Sequence, residues 1–298
     1  MAGNIYQQLP NFEAVVANGL ASRRIDAAGK LHGIQLRFLQ ADGTALSWAN
    51  VISAVKEITI DIAADTIYRV TPRFFGDMRQ FYQGAQPTNG IFYIPLKPTW
   101  WFNRAVANQF AWGMAGVPVG ATVIQCRLAA DIGNLSRIEC AIDITVEDEP
   151  LGAYFAIDRF SFEFDSAGKK EITALPANPS DAVLGYLLHK DSPTNTEAIK
   201  TRIGAAGSVG FQANSVAMRT DMATSFYDRA QVENGRTPLA RIMALDFNGD
   251  NSANDFLPLA GLNRQSVRLN FANAPAAGEN GTFDLYRIRL GGTTQAAA

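Results

Sequence analysis

Histidine is nearly absent from this chain, with His32 and His189 the two present in 298 residues. That excludes a histidine-rich metal centre of the kind a cupin-like β-domain uses, and no HExxH pair occurs. Cysteine is equally scarce. Cys126 and Cys140 are too few for a disulfide scaffold, and both fall at inward positions of alternating runs, where reduced thiols behave as small apolar groups. Charge of either sign is thin, at 26 Lys and Arg against 28 Asp and Glu for a net of −2. A nucleic-acid-binding domain usually shows a basic face, so this balance speaks against direct nucleic-acid contact. No apolar run approaches the ~18 residues of a membrane-spanning helix. Residues 1–4 lack the basic start of a secretory signal, so we expect a soluble product made in the cytoplasm.

What the chain has in quantity is period two. Ile138, Cys140, Ile142, Ile144 and Val146 alternate with Arg137, Glu139, Ala141, Asp143, Thr145 and Glu147, which is a strand with one buried face. Just upstream, Ile124, Cys126 and Leu128 alternate with Gln125 and Arg127 across a turn-rich connection, so the two runs are expected to pair antiparallel. A similar pair recurs near the end. Val267, Leu269 and Phe271 precede a Gly/Asn/Pro-rich loop, then Phe283, Leu285, Ile288 and Leu290, where the break at Tyr286-Arg287 suggests a β-bulge.

Asn11 can cap a short helix with Phe12, Val15, Val16 and Leu20 on one face, an arm that would pack at the base of the fold, on a neighbour or on a membrane surface. Alternating runs at 34–38 and 58–62 flank the Asp42-Gly43 turn. Thr71-Pro72 opens a helix carrying Phe74, Phe75, Met78, Phe81 and Tyr82 that stops near Gly84. Strand returns at 91–96. In the second half, Phe160, Phe162 and Phe164 alternate before the Gly168 turn, and an apolar strand occupies 183–188. The run 239–247 fits a strand or a short helix. Gly43 to Ile58 and Gly168 to Val183 are both 15 residues apart, and we take the halves as two related β-domains in tandem, longer than any solenoid unit. The expected domains are an N-terminal arm or short helix at 1–24, β-domains at 25–150 and 151–291, and a flexible tail at 292–298.

Catalytic chemistry finds little support. Ser53-x-x-Lys56 lacks the companion motifs of a Ser/Lys hydrolase. Gly204, Gly207 and Gly210 lack the ending of a phosphate loop and read as a flexible loop. Asp246, Asn248 and Asp250 have the spacing of a calcium loop, but Asn251 and Leu257 occupy the positions that need glycine and glutamate. A solvated turn is the simpler reading, with a weak surface calcium site completed by a neighbouring subunit left open. Asn134 and Asn280 begin glycosylation sequons, best read as loop chemistry. Trp100, Trp101, Phe102 and Trp112 can be a segment packed under a sheet or in a subunit interface, or a sugar platform.

The order of Gly43 turn, 58–62 strand, Thr71-Pro72 aromatic helix, 91–96 strand, 105–112 segment and closing strands resembles the N-terminal domain of the corticovirus major coat protein family, and the second half looks like its partner domain. The resemblance implies an all-β fold of two tandem eight-stranded jelly rolls with short accessory helices. It implies a phage or prophage major capsid protein with no enzymatic role. Three chains would form a pseudo-hexagonal capsomer of an icosahedral shell over an internal membrane, beside neighbouring capsomers and minor or penton proteins. The family's association with calcium maps onto no residue here, so catalytic, cofactor and metal residues are left unassigned. The rival is a two-domain β-sandwich that binds or hydrolyses carbohydrate through Trp100, Trp101 and Trp112, a hydrolase needing two carboxylates across one cleft.

Overall fold

The computed structural model describes residues 5–62, 65–85, 87, 89–147, 149–173, 175–191 and 198–292. It divides into two compact units, one of residues 1–76 and 86–158, the other of 77–85 and 159–298.

Unit 1 contains β1 (Ile5–Leu9), β2 (Leu20–Arg24), β3 (Lys30–Leu39), α1 (Trp48–Ala54), β4 (Val55–Ile62), β5 (Asp65–Val70), the start of α2 (Pro72–Gln83), β6 (Ile91–Pro95), α3 (Arg104–Asn108), β7 (Trp112–Gly113), β8 (Thr122–Leu128) and β9 (Arg137–Thr145). One sheet runs β1-β9-β3-β6, with β7 also on β3, and the other runs β5-β4-β8-β2. The alternation read from the sequence places Ile34, Leu36, Phe38, Ile138, Cys140 and Ile142 in the core from the first sheet, and Ile58, Ile60, Ile124 and Cys126 from the second.

Unit 2 takes the rest of α2 and β10 (Tyr154–Glu163) from Arg159 on. It continues with β11 (Gly168–Ile172), β12 (Ala182–His189), α4 (Ile199–Ile203), β13 (Ser208–Ala213), β14 (Val216–Met222), α5 (Thr224–Glu233), β15 (Ile242–Asp246), β16 (Leu257–Pro258), β17 (Gln265–Phe271) and β18 (Thr282–Gly291). Its sheets run β10-β18-β12-β15, with β16 on β12, and β11-β17-β13-β14. Tyr186, Phe211, Phe247, Phe271 and Phe283 are among the core residues that join them.

Each unit thus has four strands facing four, in the order of an eight-strand jelly roll. The strand order repeats throughout, while α3 has no counterpart among the described residues of unit 2. β1 corresponds to β10, β2 to β11, β3 to β12, β4 to β13, β5 to β14, β6 to β15, β7 to β16, β8 to β17 and β9 to β18; α1 corresponds to α4 and α2 to α5. The repeat expected from the sequence exists, but the equal intervals after Gly43 and Gly168 aligned β3 with β10, two strands out of step.

Four further expectations change. β8 and β9 do not pair: β8 lies between β4 and β2, β9 between β1 and β3, so their connection crosses from one sheet to the facing one. β17 and β18 repeat this crossing. No helix forms over 11–20. Ala14 and Asn18 adopt positive φ of 57° and 55°, and β1 and β2, expected as an arm outside the domain, are strands of the first jelly roll. β18 has no bulge at Tyr286-Arg287. The register shift lies on β12 between Val183 and Gly185, and β18 loses its apparent alternation because both faces are buried.

Of the aromatic helix, the expected limits hold. Thr71 Oγ1 accepts from the Phe74 amide at 3.2 Å, Pro72 is the first residue of α2, and Gly84 follows at φ 67°, a conformation that suits glycine. Of the 292–298 tail, residues 293–298 lie outside the described ones.

Candidate assembly surfaces and buried polar clusters

The aromatic segment after β6 is internal. Trp101 and Trp112 are fully buried and Trp100 nearly so, while Phe102 is exposed. Trp112 Nε1 donates to the Phe155 carbonyl at 2.9 Å. The Phe155 amide donates to the Phe110 carbonyl at 3.0 Å. Trp100 meets the Phe155 ring edge-on at 5.7 Å, as Trp101 meets Phe110 at 5.3 Å. A sugar platform needs an open indole face, and these indoles are spent on seating the start of β10. The surface reading of Trp100, Trp101 and Trp112 is therefore corrected in favour of packing under the strand.

Beside this segment lies a polar cluster that sequence reasoning missed. Lys97 Nζ donates to His32 Nδ1 at 3.2 Å and to Asn108 Oδ1 at 2.7 Å. Since an ammonium can only donate, Nδ1 is the acceptor nitrogen, and His32 Nε2–H faces Thr145 Oγ1 at 3.0 Å. Tyr93 crosses Gly33, where a side chain would collide with its ring, to donate to Asp143 Oδ2 at 3.1 Å. Lys30 pairs with Glu149 at 2.7 Å. Burial and the Lys97 ammonium hold the His32 pKa down to about 4, so the imidazole is neutral at physiological pH. Burial likewise lowers the Lys97 pKa. No base, nucleophile and oxyanion donor converge here. The network closes on itself.

Unit 2 holds buried polar clusters of its own, two of them next to α2. His189 Nε2 lies 3.0 Å from Asp77 Oδ2, and Arg241 grips both Asp77 oxygens at 2.8 Å. Burial alone would raise the Asp77 carboxyl, but the hydrogen bonds from Arg241 and His189 outweigh it and hold the group below its usual range. The second cluster is the loop that follows β15. Arg236 Nε donates to Asp246 Oδ2 at 2.9 Å, Nη2 to the Asn248 carbonyl at 2.8 Å and Nη1 to Asn251 Oδ1. Its guanidinium sits 4.6 Å from the centre of the Tyr82 ring. Asn248 Nδ2 then ties down the carbonyls of Ser252 and Asp255 at 2.6 Å each. The cation at the heart of the Asp246–Asp255 loop is an arginine. No local pattern announces it, since Arg236 lies ten residues before Asp246.

The remaining sequence candidates disperse. Ser53 is in α1 and gives its hydroxyl to the Asn50 carbonyl at 3.0 Å, while Lys56 is exposed on β4. Of the expected glycine loop, Gly204 ends α4 at φ 68°, and Gly210 lies within β13, where the missing side chain lets Asp221 reach Arg268 at 3.1 Å. Cys126 and Cys140 are buried free thiols, burial pushing Cys140 up to about 12 and Cys126 higher still. Among the described residues no three His, Cys, Asp or Glu side chains gather as a metal site, and no helix is long and apolar enough to cross a membrane.

Two such jelly rolls in one chain define the double-jelly-roll class. In that fold the chain superposes on the major capsid protein P2 of bacteriophage PM2 with a TM-score of 0.77 at 12% identity, covering 97% of each chain. It superposes on the STIV MCP, from Sulfolobus turreted icosahedral virus, at 0.66 and 12% over 99% of each. On the PBCV-1 virus capsid the score is 0.59 at 11%, over 98% of this chain and 96% of that one. No curated protein matches the sequence. Residues 6–141 match the family model described as viral coat protein P2 N-terminal domain.

Proposed function

We propose that this chain is the major capsid protein of a membrane-containing bacteriophage or prophage, three copies forming the pseudo-hexagonal capsomer of an icosahedral shell. The observation that carries this reading is the strand-by-strand repeat of a jelly roll within one chain whose first half matches a viral coat protein family model. Three chains of two similar domains make a near-sixfold building block, which tiles a shell more readily than a threefold one. Its partners are further copies, neighbouring capsomers and minor or penton proteins, with the internal membrane on one side and no direct nucleic-acid contact. We assign no cofactor and no catalytic group. In the Asp246–Asp255 loop Arg236 occupies Asp246 Oδ2 and the Asn248 carbonyl, and a structural calcium ion is assigned to no residues there.

Light scattering of the purified protein tests this reading. A trimer mass is expected, and a strictly monomeric mass across concentrations counts against it. Electron microscopy of induced host lysate should show icosahedral particles whose main band is this chain. Carbohydrate binding that vanishes on Trp101→Ala without loss of folding would restore the rival.

A further inference from the structure

In unit 1 the outer edge of β5 is met at one point: Ile157 of β10 pairs in parallel with Tyr68. Near the start of β10, Phe155, Ala156 and Ile157 are all buried. The counterpart of β5 is β14, and no strand pairs with its outer edge among the described residues. The counterpart of β10 is β1, whose outer edge is likewise open and whose first four residues are exposed. One half of the repeat shows a contact, and the other half shows both of its surfaces bare.

The chemistry of these two edges sets them apart. Exposed strand edges invite pairing with another chain, and proteins guard them with lysine, proline or a covering element. β11 carries Lys169 and Lys170, β2 carries Arg23 and Arg24, β6 ends in Pro95, and β15 is buried against α4 and α5. β14 has neither lysine nor proline and exposes Val216 (62%) and Met218 (44%). Its two charges are engaged by its own unit, Arg219 over the Phe247 ring at 5.5 Å and Asp221 on Arg268. β1, Ile-Tyr-Gln-Gln-Leu, has no charge and exposes Ile5 (46%) and Tyr6 (68%). An edge with exposed apolar side chains thus faces outward in each unit, uncharged on β1 and with its two opposite charges engaged by its own unit on β14.

We infer that β1 of a second copy adds in parallel to β14, repeating between chains the contact that β10 makes with β5. The inference rests on the trimer reading above. Each copy offers one edge of each kind, so the contact is head-to-tail and closes into a ring where the rotation allows. The seat also repeats. In unit 1 the β6-to-β8 connection, with its tryptophans, covers β10; in unit 2 the corresponding β15-to-β17 connection, held by Arg236, would cover the incoming β1. The glutamines Gln7 and Gln8 suit that polar loop.

The test is disulfide trapping. Gln7→Cys and Thr220→Cys are made singly and together in the full chain, whose native thiols are buried. The double variant, oxidised and run without reductant, should give a linked trimer. Each single variant should stay a single-chain band, and their co-expressed mixture should give linked dimers. Neighbouring positions, Gln8→Cys and Met218→Cys, cover a shift in register. A linked dimer from Thr220→Cys alone would mean that β14 pairs with β14 and would overturn the inference. So would a trimer by light scattering in which no mixed pair cross-links. A monomeric wild type would overturn the trimer reading and this contact together. Slowed amide exchange in β1 and β14 of the assembled wild type should accompany the cross-link, and unprotected strands in the trimer would contradict it.

Discussion

The two jelly rolls share their strand topology and differ in what they leave bare. In unit 1 the start of α2, the helix before the sixth strand, buries Phe74 and Phe75; the counterpart in unit 2, α5, exposes Phe226 and Val232. In unit 1 the connection after that strand is aromatic and internal, whereas in unit 2 it is polar and organised by one guanidinium. Topology is set by strand order and a buried face on each sheet, and those are the shared parts. The side chains on edges and connections answer to whatever covers them, which differs from one unit to the other. The comparison teaches that one fold here serves two surroundings.

The comparison breaks hardest at the two connecting segments. Phe75 stacks on Phe92 at 4.0 Å, and Phe92 also meets Trp48 at 5.6 Å. Phe75→Ala should cost about 3–5 kcal/mol, the usual loss for a buried phenylalanine, seen as a lower urea midpoint. In unit 2 the matching blow is Arg236→Ala. It leaves the buried Asp246 carboxylate without its partner, and removing one member of a buried pair costs about 3–5 kcal/mol. Limited proteolysis should then cut first within 246–256. Arg236→Lys should recover only part of the loss, because a point charge cannot reach three acceptors in fork geometry. Stability unchanged in Arg236→Ala would show that the loop is held by something other than the guanidinium.

A pH difference between the units comes next. The folded pKa of His32 is about 4, below its ordinary 6.5. The unfolded chain therefore binds the proton more tightly than the folded one. The stability from neutral His32 is complete above pH ~6.5 and is lost as pH falls toward 4, by about 3 kcal/mol at 1.36 kcal/mol per unit. Lys97, Lys30, Asp143, Glu149, Tyr93 and Thr145 are the groups around it. Because carboxylates titrate in the same window, the measurement is wild type minus His32→Gln, unfolded in urea at pH 7 and pH 4.5. A wild type that loses no more stability than the variant on acidification would refute it.

How much of this was legible beforehand follows from where side-chain period carries information. β4, β8, β9 and β17 have one wet face, so Ile58, Cys126, Cys140 and Val267 could be placed inward from the sequence. The same period cannot say whether the next strand is a neighbour or lies in the facing sheet, which is why β8 and β9 were expected to pair. β18 has two dry faces, and its buried Asp284, Arg287 and Arg289 imitated a bulge. Phe12, Val15, Val16 and Leu20 fit helical spacing only by coincidence, since the positive-φ Ala14 and Asn18 break any helix there. The polar clusters were the least legible part. His32 meets Lys97 and Thr145 across 65 and 113 residues, a separation no local motif spans.

The smallest expected effect is the sharpest on the comparison itself. Phe226 on α5 is two-thirds exposed, so Phe226→Ser should change the stability of the isolated chain by no more than about 0.5 kcal/mol, as surface substitutions do. Phe75 on the corresponding helix tolerates no such change. The informative quantity is therefore the concentration dependence of the Phe226→Ser midpoint beside that of wild type. A midpoint that rises with wild-type concentration but not with the variant would place α5 in a contact between copies, because association with a partner stabilises by mass action. Midpoints that move together would leave α5 facing solvent in the assembly, and the bare surface of unit 2 would then narrow to the edge of β14.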